Sequence, residues 1–436
     1  MEIYRTGTKF LDAADNTHQK YQQETAVAEA DYSDGIPIAR AMKTGEVIRI
    51  AADATTRIGL FGPSGAGKTT LAKAFLSRAS HDGYNVIHGS DVKNDFQSFD
   101  YDGGASNKLR NKTQGLLPGE DPAAQDRILA IPNFLANEYS SDPSSYGTRF
   151  SVTLSDLTET EFRHLIGYHD WRSGAAKETM DEILMQVDLQ QTSLGRYDPQ
   201  TGQGTGLIYE AAKRNQSTLV RKLRSVKSDR LLDERCDKNI RDVLSQLSEK
   251  NVFSLGLKEW RKYVPGDEHF FQFYSAKVLR VLREIIDADD LSPPFIIFED
   301  EFHSLAPQGE ESLVKDEFQE WYDRAARQRD VTTMISAQRS SQLPNPANDD
   351  DLDFISDLTD AFIMRGRPTP SDEDWKPIVD AMGVYDRVGG TELTQWKRKI
   401  NALDRFQGVY INSERHSGPG DCPIIESLAP LVSHPG

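Results

Sequence analysis

The stretch Gly62-Pro63-Ser64-Gly65-Ala66-Gly67-Lys68-Thr69-Thr70 carries the first recognisable chemistry. It fits the phosphate-binding pattern G-x-x-x-x-G-K-[ST] at every fixed position. Glycines let the backbone close around an anion, and a helix that starts there adds free N–H groups and a favourable dipole. In that arrangement Lys68 reaches the β- and γ-phosphates of a nucleoside triphosphate, and the Thr69 hydroxyl holds Mg²⁺. The context agrees: Thr56-Arg57-Ile58-Gly59-Leu60-Phe61 reads as a short buried strand, and Leu71 to Leu76 opens a helical pattern.

A second group is acidic. The apolar run Phe295-Ile296-Ile297-Phe298 ends in Glu299-Asp300-Glu301. At a strand tip facing a phosphate loop, one acid holds Mg²⁺ and the next orients and deprotonates the attacking water. Asp300 as metal ligand with Glu301 as base is the preferred register, since Asp-Glu-Phe-His then follows four largely apolar residues. Glu299 with Asp300 is the alternative. A third group is polar or basic. Gln338 tips the strand Val331 to Ala337, where an amide can sense the γ-phosphate or hold water. Arg324, Arg327 and Arg329 end the helix from Leu313, and Arg365 and Arg367 leave the strand Asp360 to Arg365. The strand Tyr84 to Gly89 runs into Asp91 and Lys93, at the sheet edge where open α/β folds bind ligands.

The elements that must position these groups alternate strand and helix, which gives an α/β class. A polar arm and a small hairpin occupy 1–54; Thr17 to Ala30 fits a surface helix, but a solvated arm that packs on a neighbouring subunit is the preferred reading. The core takes 55–100 and 251–436, including a helix from Phe270 to Ile286, another near 374–382, and a hairpin through Gly408 to Ile411. Between its halves, 101–250 reads as a mainly helical insertion. It has helices at Ile128 to Tyr139 and Glu178 to Leu189, and a cap at Ser155 to Glu161 ahead of Phe162 to Ile166. Lys213, Arg214, Arg221, Lys222, Arg224, Lys227 and Arg230 cluster in that insertion, and Lys108, Arg110 and Lys112 lie in the loop at its start. Such clusters are the footprint of a phosphate backbone or, more plainly, a solvated helix face.

At 436 residues the chain can form two or three average domains or one enlarged one. The formal net charge of −17 makes the surface as a whole repel nucleic acid and anionic membranes, although a motor can line one channel with cations. Two cysteines, Cys236 and Cys422, give neither a disulfide framework nor metal spacing, which fits a reducing cytoplasmic compartment. No apolar run approaches the length of a membrane span, so no integral membrane segment is expected.

Taken in order, Gly62 to Thr70, the Asp300-Glu301-Phe302-His303 box, Arg327-Gln328-Arg329-Asp330-Val331 leading to Ser336-Ala337-Gln338-Arg339-Ser340, and Asp360 to Arg365 resemble the FtsK/HerA superfamily of hexameric DNA-pumping ATPases. The HerA branch is the most similar, together with conjugation and virus-packaging motors. The resemblance implies a RecA-like P-loop NTPase core, a central and mainly parallel sheet flanked by helices, with the helical insertion. It implies ATP and Mg²⁺ as cofactors, a homo-hexameric ring and duplex DNA as partner. It also implies Gln338 as sensor and an arginine, Arg327 or Arg365, acting on the neighbouring subunit's γ-phosphate. About sixty residues precede the phosphate loop, fewer than the HerA barrel that meets a nuclease partner. This departure tells against barrel-borne contacts to a nuclease; the further partner expected is a nuclease or an assembly component. An ATPase that energises a secretion or virion-assembly complex through protein contacts is the competing expectation.

Overall fold

The computed structural model describes residues 32–432 except 33, 54, 94, 101–112, 122–126, 140–146, 169–173, 229–230, 233–236, 263–267, 289–290, 292–293, 308–311, 326–330, 344–353, 366–370, 385–390 and 405. The polar arm with Thr17 to Ala30, the cluster Lys108, Arg110 and Lys112, and Arg230, Arg327, Arg329 and Arg367 lie outside the described residues.

The strands in chain order are β1 Ile36–Ala41, β2 Val47–Ile50, β3 Arg57–Phe61, β4 Asn85–Asp91, β5 Arg127–Pro132, β6 Thr148–Phe150, β7 Arg196–Tyr197, β8 Gly204–Thr205, β9 Val252–Gly256, β10 Phe295–Glu299, β11 Val331–Ala337, β12 Asp360–Met364, β13 Gln407–Asn412 and β14 Ile424–Ser427. Twelve of them form one sheet in the order β2-β1-β14-β13-β12-β3-β11-β10-β4-β9-β5-β6, while β7 and β8 pair apart. From β12 to β6 every pairing is parallel. From β12 back to β2 every pairing is antiparallel. The expected hairpin of 36–50 is therefore the rim of the main sheet. This is the mainly parallel α/β core with flanking helices that the motifs imply.

Parallel strands covered on both faces read as continuous apolar runs. β10 shows why: all five residues are buried, Ile296 and Phe298 on one face, Phe295 and Ile297 on the other. The first face packs on the helix Lys68–His81, through Leu71, Phe75 and Leu76. The second packs on Glu268–Asp287 and Leu313–Ala325, through Leu279, Leu282, Val314 and Phe318.

One segment departs from the expected helix at Ile128 to Tyr139. Arg127–Pro132 is a fully buried strand, followed by a 3-10 turn at Asn133–Tyr139. The apolar spacing of 128–135 fits either state, but β5 lies between β9 and β6 with both faces covered, and Pro132 closes the strand. β5 and β6, from the stretch expected to be helical, thus extend the core sheet. The expected cap is present: Thr158 Oγ1 accepts from the Glu161 N–H at 3.1 Å, and Glu161 Oε2 accepts from the Thr158 N–H at 2.8 Å. The helix Thr391–Ala402, whose Trp396 indole N–H donates to the Val384 carbonyl at 3.2 Å, had no place in the sequence reading.

The helix Lys68–His81 is also pinned from outside the sheet. Arg78, fully buried, meets Glu120 at 2.7 and 2.6 Å. Glu120 in turn accepts from the Tyr32 hydroxyl and the Leu117 N–H, both at 2.8 Å. Removing one partner strands a buried charge, which typically costs about 3–5 kcal/mol. Glu120→Ala is expected to lower unfolding stability by that order. A urea midpoint equal to wild type would show that the pair is not holding this helix.

Candidate functional site

The loop, the acids, Gln338 and Arg365 each stand at the carboxyl end of a parallel strand. β3 delivers the loop, β11 delivers Gln338, and β10 delivers the acids. Because β11 lies between β3 and β10, the loop and the acids stand two strand spacings apart, on either side of the β11 tip.

The loop geometry requires glycine at its ends. Gly62 has φ 148°, and a Cβ there would lie 2.4 Å from the Met364 carbonyl oxygen of β12. Gly67, at φ 101°, is the N-cap of the helix Lys68–His81, whose first turn carries no acid. Free N–H groups and an uncompensated dipole at a glycine-bounded helix start suit an oligophosphate. Lys68 is buried and its Nζ donates to the Gly62 carbonyl at 2.7 Å, so the amine lies folded across the loop. Burial holds this ammonium below its ordinary value, against the pull of Glu301 and Asp300. Thr69 is half-buried one residue on.

Opposite the loop, the three consecutive acids have three different environments. Glu299 is fully buried at the end of β10. Its Oε2 accepts from the Ser90 hydroxyl at 2.7 Å, and its Oε1 has no hydrogen-bond partner. Burial pushes this carboxyl up to about 8. Asp300 is half-buried and accepts a hydrogen bond from the Ser336 hydroxyl of β11. Glu301 turns the chain out of the strand with φ 52°, a left-handed conformation rare for glutamate. Its Oε1 accepts from Lys93 Nζ at 3.0 Å, its Oε2 from the Gln338 amide at 3.1 Å, and His303 Nε2 lies 3.6 Å from Oε2. Burial works to raise the Glu301 carboxyl, but the Lys93 cation and its hydrogen bond, with Gln338 and Lys68, hold it below the usual carboxylate range. Beside these groups opens a cavity of about 250 Å³, lined among others by Asp91, Lys93, Trp260, Glu301, His303 and Gln338.

The structure thus brings together Lys68, Asp300, Glu301 and Gln338. Arg365 leaves β12 next to the loop, and its Nη1 donates to the Asn401 carbonyl of the same chain at 3.0 Å. The basic insertion cluster is largely engaged within the chain. Arg214 meets Glu210 at 2.9 Å, Arg224 donates to the Tyr197 carbonyl at 2.9 Å, and Lys227 to the Gly195 carbonyl at 2.7 Å. Arg221 and Lys222 have no such partner among the described residues. The Ser90–Glu299 pair and the Lys93–Glu301 contact were not foreseen. The polar strand tip at Asp91 and Lys93 was the signal that could have found the second.

Glu299 yields a pH prediction. Its folded value, about 8, lies above the ordinary 4.5, so between them the folded state binds more protons than the unfolded one. Stability contributed by this group is therefore full below about 4.5 and is lost as pH rises to about 8. Glu299→Gln, neutral throughout, is expected to match wild type in thermal unfolding near about pH 5 and to exceed it near about pH 8, without nucleotide or magnesium. Parallel pH profiles for the two proteins would contradict this.

No family model matches the chain, and no curated protein matches it. Solved structures do. VirB4 of Thermoanaerobacter pseudethanolicus superposes with a TM-score of 0.52 at 11% identity, covering 92% of this chain and 98% of that one. The bacterial conjugative coupling protein TrwBdeltaN70 gives 0.46 at 12% identity, covering 94% and 92%. The genome packaging NTPase B204 from Sulfolobus turreted icosahedral virus 2, in complex with AMP, gives 0.35 at 9%, covering 86% and 97%. Among the described residues no helix is long and apolar enough to cross a membrane. The sheet order, the loop at the tip of β3 and the likeness to VirB4 give this chain the RecA-like P-loop NTPase fold.

Proposed function

We propose that the protein is an ATP-hydrolysing motor that pumps duplex DNA, working as a homo-hexameric ring. The observation that carries the ATPase part is the meeting of Lys68, Asp300, Glu301 and Gln338 at one sheet edge, the loop and the acids on either side of the β11 tip. The loop from Gly62 to Thr70 binds the triphosphate through its N–H groups, and Lys68 swings from the Gly62 carbonyl to the β- and γ-phosphates. Among the described residues no set of three or more His, Cys, Asp or Glu side chains is arranged to hold a metal. The hard oxygens of Thr69 and Asp300 suit an ion that takes its remaining ligands from phosphate and water, as Mg²⁺ does. When bound, Mg²⁺ neutralises charge on the phosphates.

Glu301 takes the proton of the attacking water, and Gln338 holds that water or senses the γ-phosphate. Glu299 does not fit the alternative register, because its carboxyl is enclosed and held neutral. The resemblance assigns a trans-acting arginine. The contact of Arg365 with Asn401 favours Arg327 for that role. A soluble cytoplasmic location accompanies this reading, as does a division into arm, core and helical insertion in which β1, β2, β5 and β6 join the core sheet. Lys68→Ala is expected to abolish ATP binding. Glu301→Gln is expected to retain binding and lose turnover by two orders of magnitude or more, roughly the contribution of a general base. Wild-type turnover in Glu301→Gln would sink the assignment.

The net charge of −17 and the in-chain partners of Arg214, Arg224 and Lys227 favour a second reading, an ATPase that drives assembly of a protein complex. The two readings part on nucleic acid. The motor is expected to hydrolyse ATP faster with duplex DNA, the stimulation falling as salt rises. A hexamer whose rate ignores both duplex and single strands would leave the assembly reading standing.

A further inference from the structure

Lys93 is not part of the phosphate loop, the acidic box or the sensor strand, yet it touches the proposed base. Its position is fixed by the turn that follows β4. The buried Asp91 carboxylate accepts from the Asp95 N–H at 2.8 Å, the Phe96 N–H at 3.1 Å and the Ser254 hydroxyl at 3.2 Å. Asp91 therefore caps the 3-10 turn Asp95–Asp100, and Lys93 lies in the bend that follows β4. Lys73, wholly buried on the phosphate-loop helix, donates through Nζ to the Asp95 carbonyl. The turn that carries Lys93 is thus fastened to the same helix whose first residue is Lys68.

From that bend Lys93 Nζ reaches Glu301 Oε1 at 3.0 Å and lies 4.0 Å from Asp300 Oδ2. Gln338 takes the other oxygen of Glu301, so the two donors clamp the carboxylate from the β4 turn on one flank and the β11 tip on the other. The Glu301 backbone stands in the left-handed region, a conformation that persists only where neighbours over-determine it. The Lys93 side chain is 53% exposed at the cavity mouth, free to swing towards a competing anion.

We infer that Lys93 is a positioning residue that restrains Glu301: while the contact lasts, one face of the carboxylate is closed to the attacking water, and turnover waits on its release. The inference rests on the ATPase reading above. A phosphate anion brought to the site competes with Glu301 for the Lys93 ammonium and frees the carboxylate, with no new bond made or broken. A lysine that only bound the γ-phosphate would act in the opposite direction on turnover, so the two roles are separable.

The test is steady-state hydrolysis of MgATP, without DNA, by the full chain and by Lys93→Met, Lys93→Arg and the double variant Lys93→Met/Glu301→Gln. Removing a charge pair of this exposure is worth about 1 kcal/mol at most, so Lys93→Met is expected to raise kcat about two- to fivefold, leaving KM for MgATP unchanged. Lys93→Arg, which keeps the cation, is expected to bring kcat back towards the wild-type rate. The double variant is expected to lose the gain, because the gain runs through Glu301. A fall in kcat with a rise in KM would overturn the restraint in favour of a direct phosphate contact. An unchanged kcat in a variant with wild-type thermal stability would overturn it as an idle surface pair. Absence of hydrolysis by the wild type itself would remove the ATPase reading and the restraint together, a result distinct from either.

Discussion

The insertion of β11 between β3 and β10 is the constraint on which the candidate site depends. Parallel pairing runs Ala337 beside Phe61 on one side and Ile335 beside Glu299 on the other. Those two ladders fix how far the phosphate loop stands from the acids, and they place Gln338 between them. The Ser336 hydroxyl, one residue before the tip, ties Asp300 to the same strand. A shift of β11 by one residue would turn Ser336 to the wrong face and withdraw Gln338 from Glu301. The chemistry is assembled from residues far apart in sequence, yet its precision comes from ordinary backbone hydrogen bonds.

The second layer beneath that edge is unusual in its charge. Asp91, Lys73, His88 and Glu299 are all buried within a short distance of the loop and acids. His88 packs tilted against Phe96 with ring centroids 4.1 Å apart, and burial keeps its imidazole below the ordinary value. Burial likewise lowers the Lys73 ammonium to about 8. The two His88 ring nitrogens and Glu299 Oε1 have no hydrogen-bond partner among the described residues, and buried polar atoms left so cost stability. Here they lie under the one part of the molecule that must change contacts when a charged ligand arrives.

Much of this was legible from sequence because it is local. The loop Gly62 to Thr70 is a contiguous pattern, and apolar runs such as Phe295 to Phe298 mark strands buried on both faces whatever their neighbours. The Thr158–Glu161 cap is likewise spelled out within four residues. What was not legible is what depends on pairing. Ile128 to Ile131 could satisfy helix or strand spacing until β9 and β6 covered it. The three acids at 299–301 look alike in sequence, and they separate only because Glu299 turns under Ser90 while Glu301 turns out of the strand. The Lys93–Glu301 contact joins residues |i−j| = 208 apart through a turn set by Asp91, and no local pattern encodes it.

The place of β3 in the sheet also has a consequence for how the protein is made. Both of its neighbours, β11 and β12, are synthesised long after it. The Arg57 N–H pairs with Thr359 across 302 residues, and Leu431 N–H reaches Ser77 on the loop's helix across 354. A nascent chain that has just released the phosphate loop from the ribosome holds a strand with no partner on either edge. Such long-range closure is slow, and it exposes unpaired edges while it lasts. The edge that carries the candidate site is therefore made well before the strands and the C-terminal segment that complete it.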